Sequence, residues 1–164
     1  MLEKERKFLY KGDKKYLIVN NKSINVIKQG YIFSNNIFEL RVRKDEYYTN
    51  YWDKDNEIEY TLVWKNPTLD KNIRVEIIIP LNKRIGNFIL NRLFKNKIVK
   101  IRYNLGKWEE GEVFVDEFIS HNLTLVEIEY KKPLKNLPEY CGEEVTDNSN
   151  YKNKNIIKNG LFNI

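Results

Sequence analysis

The sequence predicts an α+β fold that is mainly β. Three observations carry this expectation. About eight segments alternate apolar and polar residues with period two, the pattern of half-buried strands. Short polar breaks separate them, which suits antiparallel connections. Helical spacing is confined to two stretches.

The first strand covers residues 3–8, where side chains alternate from the start of the chain. Parts of 17–19 and the segment 25–31 follow. Residues 38–43 alternate apolar and charged side chains, and 59–65, 74–77, 100–103, 112–118 and 126–131 complete the set. Pro80 suits the first turn of a helix, where its missing N–H costs nothing. Leu81, Ile85, Phe88, Ile89 and Leu93 then recur at helical spacing. A second helix is expected from about Tyr151 through Ile157, capped by Ser149 and ending at Gly160. Residues 134–138 read as a short turn. Residues 44–56 hold Tyr47, Tyr48, Tyr51 and Trp52 and read as a long hairpin loop or hairpin tip. No repeat, low-complexity linker or compositional break divides the chain, so 1–164 is expected to be a single domain.

Composition narrows the function classes. Hydrophobic residues are 41% of the chain, enough for a core, and charged residues are 32%. No apolar run approaches the ~18 residues of a membrane span, and no apolar leader opens the chain. One cysteine, Cys141, excludes a disulfide framework and a cysteine-rich zinc site and fits a reducing cytoplasm. One histidine, His121, excludes a multi-histidine metal centre and reads as a surface residue; any metal would be held by oxygen ligands. The net charge of +6 fits anionic partners, and the Lys-, Asn- and Ile-rich usage also fits the background of an AT-rich genome.

The informative feature is the stripe of charge on each strand. Side chains at i, i+2 and i+4 share a face. Glu3, Glu5 and Lys7 point one way, as do Arg41 and Arg43, Arg74 and Glu76, Lys100 and Arg102, and Glu127, Glu129 and Lys131. Lys65 ends another strand. The opposite faces carry Leu40 and Val42, Val75, Ile77 and Ile79, Ile101 and Tyr103, Val126 and Ile128. Two orientations fit. In one, the apolar faces fill a small barrel or sandwich and the charges meet water. In the other, the charged faces converge. Two details support convergence: acidic and basic doublets are segregated by strand, and carboxylates pair at i, i+2 as Glu3/Glu5 and Glu127/Glu129. Two such pairs would make a hard-oxygen cage for Mg²⁺ or Mn²⁺. Arginines and lysines on the other strands would hold a polyanion against it.

The same residues resemble a known family. Residues 3–9, Glu-Lys-Glu-Arg-Lys-Phe-Leu, resemble the ExExK signature that opens CYTH proteins. These are the triphosphate tunnel metalloenzymes, which include class IV adenylyl cyclases, thiamine triphosphatases and inorganic triphosphatases. Lys28-Gln29-Gly30-Tyr31-Ile32 resembles the family's RQGYL-type strand, and Glu39-Leu40-Arg41-Val42-Arg43 its RxR strand. Residues 60–65 resemble its TxK strand, Arg74-Val75-Glu76 its RxExE strand and Lys100-Ile101-Arg102-Tyr103 its KxRY strand. Val115-Asp116-Glu117-Phe118 resembles its DxF strand and Leu125-Val126-Glu127-Ile128-Glu129 its ExE strand. Gly142-Glu143-Glu144-Val145-Thr146 and Tyr151-Lys152-Asn153-Lys154 resemble its closing segment. The order is the family's and the match covers nearly the whole chain.

The resemblance implies a closed eight-stranded antiparallel β tunnel with a charged lumen and peripheral helices. It implies metal binding by Glu3, Glu5, Glu127 and Glu129, with Glu76 and Asp116 as further acidic candidates that bind metal or orient a cation. It implies phosphate binding by Lys7, Arg41, Arg43, Lys65, Arg74, Lys100 and Arg102. Lys7, Tyr31 and Glu129 are the expected catalytic residues. The second Glu of the RxExE pattern is Ile78 here, so one acidic lumen position is lost. The expected activity is hydrolysis of inorganic tripolyphosphate or a small organic triphosphate with Mg²⁺ or Mn²⁺, in a cytoplasmic monomer or homodimer with no membrane contact. A cyclase making cyclic AMP from ATP, with the aromatic loop as its base-binding shell, is one alternative. A non-catalytic polyphosphate- or nucleotide-binding tunnel is another. Generic nucleic-acid binding is disfavoured, because no recognition helix is present and lumen carboxylates oppose it.

Overall fold

The structure, a computed structural model, describes residues 2–35, 38–48, 57–67, 73–92 and 97–159. Nine antiparallel strands form one sheet: β1 (Leu2–Tyr10), β2 (Ser23–Ser34), β3 (Glu39–Tyr48), β4 (Glu57–Pro67), β5 (Ile73–Pro80), β6 (Ile98–Trp108), β7 (Gly111–Phe118), β8 (Leu123–Tyr130) and β9 (Cys141–Glu144). Their order is β5-β4-β3-β2-β6-β7-β8-β1-β9. A further short register sets Leu2 opposite Val75, Glu3 opposite Arg74 and Lys4 opposite Ile73, so β1 also touches β5.

The expected closed eight-stranded barrel is corrected here. Among the described residues the sheet has nine strands, it ends at β9 beside β1, and its two arms meet over three β1–β5 pairs. The four residues of β9 are too short to display an alternation. They dock on the end of β1, with Phe8 opposite Glu144 and Tyr10 opposite Cys141.

Apolar side chains leave the sheet on its outer face, and two helices cover part of them. Phe8, Tyr103, Val113, Val115, Val126 and Ile128 cluster with Leu17 of α1 (Lys14–Asn20). The expected strand character of 17–19 is corrected, because the segment is helical. The Asp13 side chain caps it, accepting a hydrogen bond from the Lys15 amide. A second cluster places Leu90 of α2 (Lys83–Arg92) on Val42 and Tyr60. Pro80 does not open this helix. It is the last residue of β5, opposite Thr61.

A third cluster lies on the other side of the sheet. Ile98, Phe118 and Leu125 share strand faces with Lys100, Asp116 and Glu127, two residues away in each case. Ile156 of α3 (Asn153–Asn159) packs onto them, together with Leu123 and Val145. The C-terminal segment therefore covers the ionic side at one end of the strands. Asn148, rather than Ser149, caps the 3₁₀ turn Ser149–Tyr151 that precedes α3. Gly160 lies outside the described residues. So do 49–56 with Tyr51 and Trp52, while Tyr47 and Tyr48 belong to β3. His121 is buried, not a surface residue. Among the described residues no helix is long and apolar enough to cross a membrane.

Candidate active site

Residues directly opposite in an antiparallel register share a face. The registers therefore carry the charged stripes from strand to strand. Glu5 faces Glu129, which faces Glu112 on its other side. Lys7 faces Glu127, Arg102 faces Asp116, Tyr31 faces Arg41, Gln29 faces Arg43, and Lys65 faces Glu76. These stripes line a cavity of about 700 Å³. Glu5, Lys7, Tyr31, Arg41, Arg43, Lys65, Glu76, Lys100, Arg102, Glu127 and Glu129 all border it. Asp116 is fully buried behind Lys100 and Arg102. Of the remaining predicted residues, Glu3 and Arg74 are opposite each other in the backbone register, and their side chains lie outside the described residues.

Two cation groups stand in the cavity. In the first, Lys7 Nζ lies 2.5 Å from Glu127 Oε1 and 3.6 Å from Glu5 Oε1. Arg102 donates through Nε and Nη2 to the two oxygens of Asp116, each at 2.7 Å, and its Nη2 also pairs with Glu127. Lys100 pairs with Asp116. Arg102 also stands over the Phe114 ring, 4.8 Å from its centroid. Burial alone would raise the Glu127 carboxyl; Lys7, Lys100 and Arg102 overcome it and hold the group well below the usual range. Burial lowers Lys100 to about 8, helped by Arg102 and opposed by Asp116.

The second group is on the opposite wall. Arg41 Nη2 and Lys65 Nζ each lie 3.5 Å from Glu76 Oε1. Arg43 makes a two-point contact with Asp45 at 2.7 Å. Arg41 is 6% exposed, and its Nε is buried with no hydrogen-bond partner among the described residues. Such an orphaned donor on a lumen cation suits an anionic oxygen. Burial pushes the Tyr31 hydroxyl up to about 12 against the pull of Arg41, so it stays protonated and able to donate.

The carboxylates divide in the same way. Asp116 and Glu127 are committed to buried cations. Glu5, 3.6 Å from Lys7, and Glu129, whose charge acts on Arg102, sit side by side on adjacent strands at the cavity wall. They offer two oxygen donors to a hard cation that completes its shell with water and phosphate oxygens, the usual coordination of Mg²⁺. Among the described residues no three His, Cys, Asp or Glu side chains already stand in a coordination cluster. The donor chemistry fits a divalent cation held partly by its substrate.

Sequence reasoning missed several lumen residues, among them Gln29, Glu39, Asp45 and Glu112. Gln29 is buried in the wall and donates to the Tyr31 hydroxyl at 3.2 Å. Glu39 borders the cavity and pairs with Lys154 of α3 at 3.0 Å. Asp45 balances Arg43, and Glu112 extends the Glu5–Glu129 row. Each continues a stripe already recognised: Glu39 and Asp45 flank Arg41 and Arg43 at steps of two. That signal was available.

No family model matches the sequence. The chain is 30% identical over 166 residues to an inorganic triphosphatase of Acetivibrio thermocellus, covering 98% of this chain and 96% of that protein. The chain belongs to the CYTH triphosphate tunnel superfamily. Solved structures agree on the CYTH fold. The inorganic triphosphatase NE1496 matches with a TM-score of 0.61 at 24% identity, over 94% of this chain and 93% of its own. PH1819 from Pyrococcus horikoshii OT3 matches with a TM-score of 0.57 at 21% identity, over 81% and 80%. Membership also gives Ile78 its meaning. It borders the cavity opposite Val63, so this CYTH chain has an apolar spot where the family pattern has a carboxylate.

Proposed function

We propose that the chain is a metal-dependent triphosphate hydrolase acting on inorganic tripolyphosphate or a small organic triphosphate. One observation carries the reading: a row of carboxylates and two groups of buried cations face each other across a single cavity. On this reading the nine-stranded sheet curves around the substrate, with β1 and β5 touching at three residue pairs, and residues 1–164 work as one unit.

Arg41, Arg43 and Lys65 bind phosphate oxygens from one wall, with the Tyr31 hydroxyl donating beside Arg41. Lys7, Lys100 and Arg102 bind from the other, and Asp116 holds the last two in place. Lys7 stands between Glu127 and Glu5, where its ammonium stabilises charge building up as the anhydride bond breaks. Glu5 and Glu129, with Glu3 two residues from Glu5 in β1, would hold Mg²⁺ or Mn²⁺, which when bound supplies charge neutralisation across the phosphates. Glu129 orients the attacking water for in-line displacement.

A phosphate-release panel over tripolyphosphate, thiamine triphosphate, ATP and GTP, each with Mg²⁺ and Mn²⁺, tests the proposal. Phosphate released from at least one triphosphate is the expected result. Cyclic AMP from ATP would make it a cyclase, and tight binding without turnover under every metal would make it a binding protein.

A further inference from the structure

Among the described residues nothing covers the outer face of β4 and β5 around Trp64 and Ile77. The alternation that turns Lys65 and Glu76 toward the cavity turns Trp64 and Ile77 outward, opposite each other in register. Val75 and Ile79 flank Ile77 on that face. Phe33, opposite Leu40, extends the surface across β3 to β2. Phe38 stacks on Phe33 with ring centroids 4.7 Å apart and meets Trp64 edge-on at 6.4 Å. Trp64, Ile77 and Ile79 are 45%, 46% and 48% exposed, values that belong to a surface and not to a core. Asn66 is the one polar residue among the outward positions Leu62, Trp64, Asn66, Val75, Ile77 and Ile79, and none of them is charged. Helix α2 covers Val42 and Tyr60 farther along the same strands and leaves this patch bare.

We infer that this face is the interface of a homodimer. The exposed apolar area of Phe33, Phe38, Trp64, Val75, Ile77 and Ile79 is on the order of 500 Å², at the upper end of what a monomer leaves open. It would form the apolar core of an interface of the standard ~800 Å² per partner, close to the roughly 65% apolar share of homodimers. A second copy fits better than a charged partner. The chain carries a net +6, so two copies repel through most of their surfaces, and this face brings no charges together. Two sheet faces pack about 10 Å apart at about 30°, and a two-fold axis near the Trp64–Ile77 pair sets each patch against itself. Association there also braces β5, whose hold on β1 is three residue pairs.

Sedimentation velocity of the full chain at rising concentration tests this. The wild-type chain is expected to reach about twice the monomer mass, and Ile77→Lys and Trp64→Lys are expected to stay monomeric with unchanged circular dichroism. A conservative Ile77→Cys variant checks the same face independently. Cys141 is buried, so a bismaleimide is expected to link position 77 to its counterpart in a covalent dimer. A monomeric wild-type chain at every concentration overturns the inference. So does a dimer that survives both lysine substitutions and yields no cross-link. Flotation of a monomeric wild-type chain with anionic vesicles also overturns it, and makes the face a membrane contact instead.

Discussion

Lys7 on β1 and Glu127 on β8 stand opposite each other in register, with Nζ 2.5 Å from Oε1 and both groups buried. Burial alone would lower the lysine and raise the carboxyl. The charges of Glu127 and Glu5 reverse the first effect, and those of Lys7, Lys100 and Arg102 reverse the second. Glu127 is thus a fixed counter-charge for the cations that bind phosphate. Glu127→Gln leaves those cations under-compensated and is expected to cost about 3 kcal/mol in denaturant unfolding. Tripolyphosphate should recover part of the loss, because an anion that binds only the folded state replaces the missing charge.

Acid should act through the same carboxyl. Its folded pKa lies below its unfolded one, so its contribution is complete above the ordinary value of 4.5 and is lost as pH falls toward the folded value. Wild-type melting temperature should therefore drop below that pH. Glu127→Gln, less stable at neutral pH, should lose less over the same acid range. Parallel curves for the two proteins would contradict this.

Lys100 sets an alkaline limit. Burial, with help from the charge of Arg102, lowers it to about 8, so the free protein loses this cation as pH rises through that value. A neutral amine binds phosphate poorly. The kcat/KM for tripolyphosphate should fall above pH about 8, and Lys100→Arg should move the fall upward. The stability effect has the opposite sign. Between about 8 and the ordinary 10.5 the unfolded chain holds a proton that the folded chain has released, so this group makes the fold more stable as pH climbs through that window.

Glu5 and Glu129 share one task on adjacent strands. Glu5→Gln or Glu129→Gln should each lower kcat by a factor on the order of 10²–10³, the loss of several kcal/mol of charge stabilisation. The double variant should be little worse than either single one, because the two act as a unit. Mn²⁺ binding followed by electron paramagnetic resonance should weaken in step, separating loss of metal from loss of fold.

The strands of the ionic stripes were legible because their period is regular: residues 126–131, Val-Glu-Ile-Glu-Tyr-Lys, alternate over six positions and read as a strand with one charged face. Which face turns inward was not legible from period two, since the pattern is the same read from either side. The ordered family motifs supplied that orientation. Two kinds of element escaped. Residues 17–19 are too few to distinguish alternation from a helical turn, and the Asp13 cap was the decisive signal. β9 holds only four residues, and its place depends on the end of β1, far away in sequence. For Asp116 the sequence left metal binding and cation orientation both open, and its pairing with Lys100 and Arg102 decides for the second. A carboxylate reads the same in sequence whether a metal or a buried arginine holds it.

Gly86 offers a test of how firmly α2 is seated. A methyl group at this position would lie 2.5 Å from the Cβ, Cγ and Cδ1 atoms of Tyr60, closer than real side chains approach. Alanine favours helix over glycine by about 1 kcal/mol, yet the overlap should outweigh this. Tyr60 is itself packed against Val42 and Leu90 and cannot swing aside. Gly86→Ala should therefore be net destabilising, by about 1–3 kcal/mol of overpacking. Tyr60 faces away from the cavity while its neighbours Glu59 and Thr61 border it. The melting temperature should fall while KM stays unchanged. A wild-type melting temperature would mean that α2 slides along β4 at little cost.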